Sequence, residues 1–433
     1  MAAEPLESLV SEYTGIVRGV EDVMADPCDI RLVNVYCETG HSGELVGGAG
    51  KHPGAGSGRS REAARRAAIA EAVERYSACA SGNVAAVVAT AAELGGAAVD
   101  PSRFALFSER QHAAPSFPYR PFTETTRLAW VEGRALPSGE PAYLPAQLVY
   151  LRWTLRPGEE RIASSSSSGL ACGASFGEAV LAALLEAIER DAFMITWKAR
   201  LSWPRLAWPR DSAPDRFERA YVRPTGLTVA AIDLSAVWEI PCVLGVARSR
   251  VRGEAPVGVG AGAALDVDRA IEKAIDEAVR VRSWARAIRT MVRPGDPAPA
   301  PDEVVGFEDH IRFHAYEENA AATTFLDASR TRRPSADVAP VSGTTTAERI
   351  ASICRRLAAG GASAYAVDVT APDVREAGLH VARAIAPELC RLDVEHATRH
   401  LGGRRLYVEP VRLGFRASAL DESDLNRDPH PFP

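Results

Sequence analysis

The chain has 433 residues, 46% of them hydrophobic and 24% charged, which is the profile of a soluble globular protein with room for one large domain or two to three ordinary ones. Its formal net charge of -6 offers no basic field for nucleic acid or an anionic membrane surface, and no stretch approaches the roughly 20 apolar residues needed to span a bilayer. The start, MAAEPLESLV, has neither a basic nor an apolar signal region, and the seven cysteines (Cys28, Cys37, Cys79, Cys172, Cys242, Cys354 and Cys390) are scattered and never form a C-x-x-C pair. A disulfide framework and a structural zinc site are both disfavoured, and a cytoplasmic location is expected, with no nucleic acid and no membrane as partner.

In chain order, residues 42–60 (SGELVGGAGKHPGAGSGRS) are rich in Gly and Ser and predict a long loop. A helix is expected from Arg61 to about Ala80, then short strands, turns and one short helix over 83–151. A second Gly/Ser-rich loop covers 157–177 and contains five consecutive serines, Ser164 to Ser168; a second helix runs from about Phe176 to Trp197. LTVAAIDL (227–234), PCVLGVAR and PVGVGAGAAL read as strands of a mixed sheet, and a third long helix spans about Asp268 to Met291. After a Pro-rich linker at 292–302, AERIASICRRLAAGG reads as helix and SAYAVDVT as strand. Helices and strands mix throughout, so the expected fold is one large α/β (mixed α+β) domain: an N-terminal segment at 1–40, a body at 41–420 and a proline-rich tail at 421–433.

Two segments nearly copy one another: AAIAEAVER at 67–75 and AALLEAIER at 182–190. In each, two glutamates three apart share a helix face and an arginine follows the second, giving Glu71 with Glu74 and Glu186 with Glu189. Glu178 extends the second set, since 178, 186 and 189 fall within roughly 80° on a helical wheel. The third helix carries a looser echo in Glu272, Asp276, Glu277, Arg280 and Arg282. Like charges at this spacing weaken a helix unless something offsets them. A magnesium ion does so, taking a few carboxylates together with phosphates and water, and a neighbouring guanidinium suits phosphate oxygens. Facing helices of this kind could clamp a magnesium-bridged nucleotide; the other reading of the same pattern is a solvated charged face with local ion pairs. No G-x-x-x-x-G-K-[ST] occurs, so a P-loop is excluded.

The segment SSSSSGLACGASFGEAVLAALLEAIERDAF (164–193) resembles the signature of the YcaO family, a Ser/Gly-rich turn leading into a helix that ends E-x-x-E-R-D. In the expected order, GGAGKHPGAGSGRSREAARRAAIAEAVERYS (47–77) resembles the family's first Gly-rich loop and helix, VGVGAGAALDVDRAIEKAIDEAVRVRS (257–283) its third helix, and VDVTAPDVREAGLHVARAIAPEL (367–389) its late strand–loop–strand segment. The closing PHPFP resembles the P-x-P-x-P ending of the azoline-forming branch. The resemblance implies a YcaO-like domain whose acidic helices bind ATP and Mg2+: Glu71, Glu74, Glu178, Glu186 and Glu189 as metal ligands, Arg190, Arg282 and Ser175 as ATP contacts, and Pro433 as a catalytic residue reaching substrate. It implies an ATP-dependent peptide cyclodehydratase that converts Cys, Ser or Thr of a ribosomally made precursor peptide into thiazoline or oxazoline rings. Its expected partners are that precursor peptide and a leader-binding protein (E1-like or recognition-element), with a homodimer also open.

Ala174 stands where the family has Asn, Arg280 where it has Gln, and Ser11, Thr14 and Arg18 are the available N-terminal nucleotide contacts. The alternatives are a YcaO enzyme forming a thioamide or amidine, or a scaffold that docks precursor peptide for a partner. Among single residues, Lys51 and His52 are open to substrate contact or to an exposed loop, and Ser164–Ser168 to phosphate contact or to a flexible loop. Cys172 reads as packing, Trp197, Trp203 and Trp208 as core or subunit-contact residues, and Asp368 as a turn residue in preference to a catalytic one.

Overall fold

The computed structural model describes residues 3–24, 30–40, 53–79, 84–251, 254–292 and 296–432. In chain order its main elements are β1 (Val17–Val23), β2 (Val33–Thr39), β3 (Pro53–Gly58), α1 (Arg61–Ala78), β4 (Val87–Ala89), β5 (Leu128–Leu136), β6 (Pro141–Pro145), β7 (Leu170–Gly173) and α2 (Phe176–Ala199). There follow β8 (Arg205–Ala207), β9 (Thr228–Asp233), β10 (Cys242–Arg248), β11 (Val257–Ala263), α3 (Val267–Met291), α4 (Phe307–His314), β12 (Arg332–Pro334), α5 (Thr346–Ala359), β13 (Ala364–Asp368) and β14 (His380–Ile385). The mixed α/β class matches the expectation from sequence. The chain divides into two compact units, one of Met1–Ala25, Leu32–Ala187 and Ser342–Leu389, the other of Asp26–Arg31, Ile188–Val341 and Cys390–Pro433.

The first unit holds two sheets. One is an antiparallel meander, β1-β2-β3, against which α1 packs. Residues 53–58, which the sequence reading assigned to a loop, form β3. A strand whose inward positions are glycines has no apolar alternation to reveal it, yet those glycines are what the packing requires. A Cβ on Gly54 would lie 2.1 Å from the Ala68 carbonyl oxygen, and one on Gly56 2.1 Å from that of Ala64. The strand therefore rests directly on the helix backbone, and the inner face of α1 is accordingly small: Ala64, Ala68 and Ala72, with Ile69 and Val73 filling the margins. Ser60 caps the helix, its hydroxyl accepting the Ala63 N–H at 3.2 Å. The second sheet runs β4-β5-β13-β14-β7 with β6 on β5, and all its pairings are antiparallel. Residues 170–173, inside the second expected loop, form its β7 edge. Trp130, Leu128, Leu144 and Leu148, all fully buried, centre its core.

The second unit repeats the meander-plus-helix theme. Strands β9, β10 and β11 pair antiparallel, β8 joins β9, and β12 adds to β8 in parallel, giving a mixed five-stranded sheet. Helix α3 follows β11 as α1 follows β3, and again glycines permit contact: a Cβ on Gly258 would lie 2.2 Å from the Ala278 carbonyl oxygen. Asp266 caps α3, accepting the Arg269 N–H at 2.8 Å. No helix among the described residues is long and apolar enough to cross a membrane.

Candidate functional site

In the first unit the β3–α1 contact positions the first pair of glutamates. Glu71 Oε2 accepts the Ala55 N–H at 2.8 Å, and Glu71 Oε1 lies 2.5 Å from Arg75, which itself donates to the Pro53 carbonyl at 2.7 Å. Both oxygens of Glu71 are thus held inside the fold. Glu74, one turn on, is part-buried and accepts no hydrogen bond among the described residues. Its carboxyl is pushed well above the usual carboxylate range, first by burial, then by the charges of Glu186 and Glu71, against which Arg75 and Arg383 pull weakly.

The start of α2 is closed by a reciprocal cap. Ser175 Oγ accepts the Glu178 N–H at 3.2 Å, and Glu178 Oε2 accepts the Ala174 N–H at 3.2 Å. Glu178 is exposed. The serine run preceding this helix is organised by a residue that the sequence did not single out. Arg383 on β14, 1% exposed, donates to the carbonyls of Leu148 (3.2 and 2.9 Å), Ser166 (2.8 Å) and Ser168 (2.8 Å) and to Ser165 Oγ (3.2 Å).

In the second unit, β11 and α3 give a counterpart of the first pair. Glu277 Oε2 accepts the Ala261 N–H at 2.8 Å, sixteen residues upstream, the same separation as between Glu71 and Ala55. Glu189, 4% exposed, accepts the Ala263 N–H at 2.8 Å; Lys273 lies 3.7 Å and Arg190 3.9 Å from its carboxylate. Burial raises the Glu277 carboxyl, opposed by Arg190 and reinforced by Glu189. Sequence reasoning met Glu277 only as part of a loose echo. The signal that could have found it is the glycine-alternating strand followed sixteen residues later by a helical glutamate, present in both units. Arg282 is 1% exposed; it pairs with Glu254 and donates through Nε to the Ala255 carbonyl at 3.1 Å.

The segment 426–432 is folded into the same unit. Asn426 Nδ2 donates to the Trp197 carbonyl at 3.2 Å, and Trp197 Nε1 to the Asp428 carbonyl at 3.1 Å. On α4, His314 Nε2 lies 2.8 Å from the Pro429 carbonyl oxygen and His310 Nδ1 3.0 Å from that of His430. The His310 and His430 rings stack with centroids 3.8 Å apart, and Phe432, fully buried, carries the Arg190 guanidinium 4.2 Å above its ring. Lys51, His52 and Pro433 lie outside the described residues. Cys172 is part-buried, and burial pushes its thiol up to about 12, consistent with packing rather than nucleophilic work.

Do these residues suit magnesium and ATP? The candidate donors are carboxylate oxygens, the ligand type that hard divalent cations take. Among the described residues no three His, Cys, Asp or Glu side chains gather closely enough to cage an ion. The protein can therefore supply only part of a coordination sphere, and magnesium characteristically completes the rest with phosphate and water. Glu74, raised first by burial and then by the charges of Glu186 and Glu71, and accepting no hydrogen bond among the described residues, is the kind of group a cation would relieve. Donor chemistry and electrostatics both fit.

Comparison with known proteins gives the fold and the family. The whole chain superposes on 57% of a heterocyclase solved in complex with substrate and cofactor, with a TM-score of 0.81 and 24% identity. The heterocyclase TruD matches 85% of this chain and 50% of its own length, with a TM-score of 0.66 and 26% identity. YcaO from Methanopyrus kandleri, solved bound with AMPPCP and Mg2+, matches 90% of this chain and 92% of its own length, with a TM-score of 0.61 and 21% identity. The chain thus spans about half the length of the first two of these relatives and nearly all of the third. A family model described as YcaO cyclodehydratase, ATP- and Mg2+-binding, matches residues 55–390, and the chain belongs to the YcaO family.

Proposed function

We propose that this protein is an ATP-dependent cyclodehydratase that activates backbone amides of a ribosomally made precursor peptide and closes Cys, Ser or Thr residues into thiazoline or oxazoline rings. The observation that carries the reading is the carboxyl group of Glu74, raised beside Glu186 and Glu71 and accepting no hydrogen bond among the described residues. Glu74 and Glu186 would hold magnesium, and Glu71, Glu178 and Glu189, each with an oxygen on a backbone N–H, would serve as further metal ligands. Arg190 and Ser175 would meet phosphate oxygens, and Arg282 would do so on releasing Glu254.

The chemistry follows from the poor leaving ability of an amide oxygen. A substrate thiol or hydroxyl gives up its proton as it adds to the preceding carbonyl carbon, the carbonyl oxygen becomes an oxyanion, and the amide nitrogen loses its own proton as that oxygen departs and the C=N bond forms. Bound ATP supplies the phosphoryl group that turns this oxygen into phosphate, with magnesium neutralising the charge. The chain's own residues would hold the phosphates and the metal, and Pro433, at the end of the 429–433 segment and outside the described residues, would be the catalytic residue reaching substrate. The Phe432 ring against Arg190 supports that position, since it ties the segment to a candidate phosphate contact. A leader-binding partner would deliver the peptide by raising its effective concentration.

The test is Glu74→Gln and Glu186→Gln, each checked for an intact fold by circular dichroism and assayed for magnesium-dependent ATP turnover. Each removes one charge from a shared cluster, so turnover is expected to fall about a hundredfold or more. Turnover at the parent rate in both folded variants would overturn the assignment.

A further inference from the structure

The whole stretch from Pro429 to Phe432 is buried, prolines included. His430 and Phe432 are 1% and 0% exposed. His430 Nε2 donates to the Asp393 carbonyl at 2.8 Å, and its Nδ1 accepts the Phe432 N–H at 3.3 Å, so the ring is neutral with its proton on Nε2. Phe432 packs on Phe193 of α2 with ring centroids 4.8 Å apart. The proline-containing backbone has few N–H groups of its own to hold it, and its carbonyls are the groups left to grip. Two histidines one turn apart on α4 do this: His314 at the Pro429 carbonyl (2.8 Å) and His310, whose Nδ1 lies 3.0 Å from the His430 carbonyl and Nε2 3.2 Å from that of Val394, so that the one proton of its neutral ring goes to the shorter contact, with the His310 and His430 rings stacked.

We propose that His310 and His314 are positioning residues for the cyclisation step, a clamp on α4 that fixes the 429–432 backbone so that Phe432 seats on Arg190. This rests on the reading of the 429–433 segment given above. A segment of alternating proline is already stiff, so two side-chain donors at adjacent carbonyls suffice to set its direction. An error of about 1 Å at a reacting group can cost about a hundredfold in rate. The clamp should therefore lower kcat for ring closure far more than it weakens ATP binding, which the segment touches through Arg190.

The experiment compares the parent with His310→Leu and His314→Leu, which keep apolar volume and remove the donor, and with His314→Gln, which restores an N–H. A variant lacking residues 429–433 is run beside them. Amide hydrogen exchange of the 426–432 segment is read by mass spectrometry, with exchange in β10 and β11 as the fold check. Ring closure is read as loss of one water per ring from a synthetic peptide of alternating Gly-Cys and Gly-Ser pairs, together with KM for ATP. Expected are faster exchange confined to 426–432, a fall in ring-closure kcat of about tenfold or more, KM for ATP within about twofold, and substantial recovery in His314→Gln. Parent-like ring closure by folded His310→Leu and His314→Leu, with the deletion variant impaired, would overturn the clamp alone. Parent-like ring closure by the deletion variant would overturn the reading of the segment itself, and the clamp with it.

Discussion

Replacing Gly56 by alanine tests whether the glutamate positions depend on direct strand-to-helix contact. The new Cβ would lie 2.1 Å from the Ala64 carbonyl oxygen, 2.4 Å from the Ala68 nitrogen and 2.8 Å from the Ala67 Cβ. Ordinary contact is about 3.5 Å or more, and two of the three neighbours are helix backbone, which cannot rotate away. Helix α1 must retreat from β3 by roughly 1 Å. Overpacking of this kind costs about 3 kcal/mol, which for a unit of this size lowers the melting temperature by about 6–12 °C. The Ala55 N–H, next in chain, would pull away from Glu71, currently 2.8 Å distant, and magnesium-dependent ATP turnover should fall with it. Gly19→Ala is the control, because a Cβ there meets nothing within 4 Å. Scanning calorimetry and ATP turnover on the three proteins decide the matter. If Gly56→Ala melts within about 1 °C of the parent and turns over ATP normally, the strand does not rest on the helix as described.

Two further outcomes follow from the charged groups. Because the Glu74 carboxyl is raised in the folded protein, the folded state binds a proton more readily than the unfolded chain, and stability is lost as pH rises above the unfolded value near 4.5. Glu74→Gln should therefore stabilise the metal-free protein at pH 8 relative to the parent, and Mg2+ should raise the parent's melting temperature more at pH 8 than at pH 5; equal shifts would count against the cluster. Burial pushes His314 down to about 3 from about 6.5, so the unfolded chain takes up the proton first and stability falls as pH drops through that window. At pH 5 the loss is about 2 kcal/mol, and His314→Gln should flatten the profile of denaturant midpoint against pH; an unchanged slope would contradict the assignment.

Much of the helical frame was legible because its signals are local. The capped alanine-rich run beginning at Arg61, the run beginning at Phe176 and the run ending at Met291 all form helices as expected, since composition, caps and periodicity agree there. Strand β3 was not legible, because a strand chosen for closeness to a helix gives up the apolar alternation by which strands are recognised. The candidate metal residues were found by repetition, yet repetition ranked Glu277 too low: its position is defined by a backbone N–H on the preceding strand rather than by a match of flanking letters. Arg383 carries no local mark, for its partners lie over two hundred residues upstream. His310 and His314 were not singled out in the sequence, because the carbonyls they lie against belong to a segment more than a hundred residues later.

The order of strands in the six-stranded sheet also sets a schedule for synthesis. The β1–β3 meander and α1 close within one contiguous stretch of chain, as do β9–β11 and α3, so each can collapse soon after it leaves the ribosome. The large sheet cannot. Its middle is the β13–β14 hairpin, which pairs with β5 through Ala364 and Leu136 and with β7 through His380 and Gly173. Until residues 364–385 have been made, β5 and β7 each present an unpaired edge, the kind of template that recruits other chains. A nascent chain stalled before that hairpin is therefore the species most exposed to aggregation, and arrival of the hairpin seals both edges in one event.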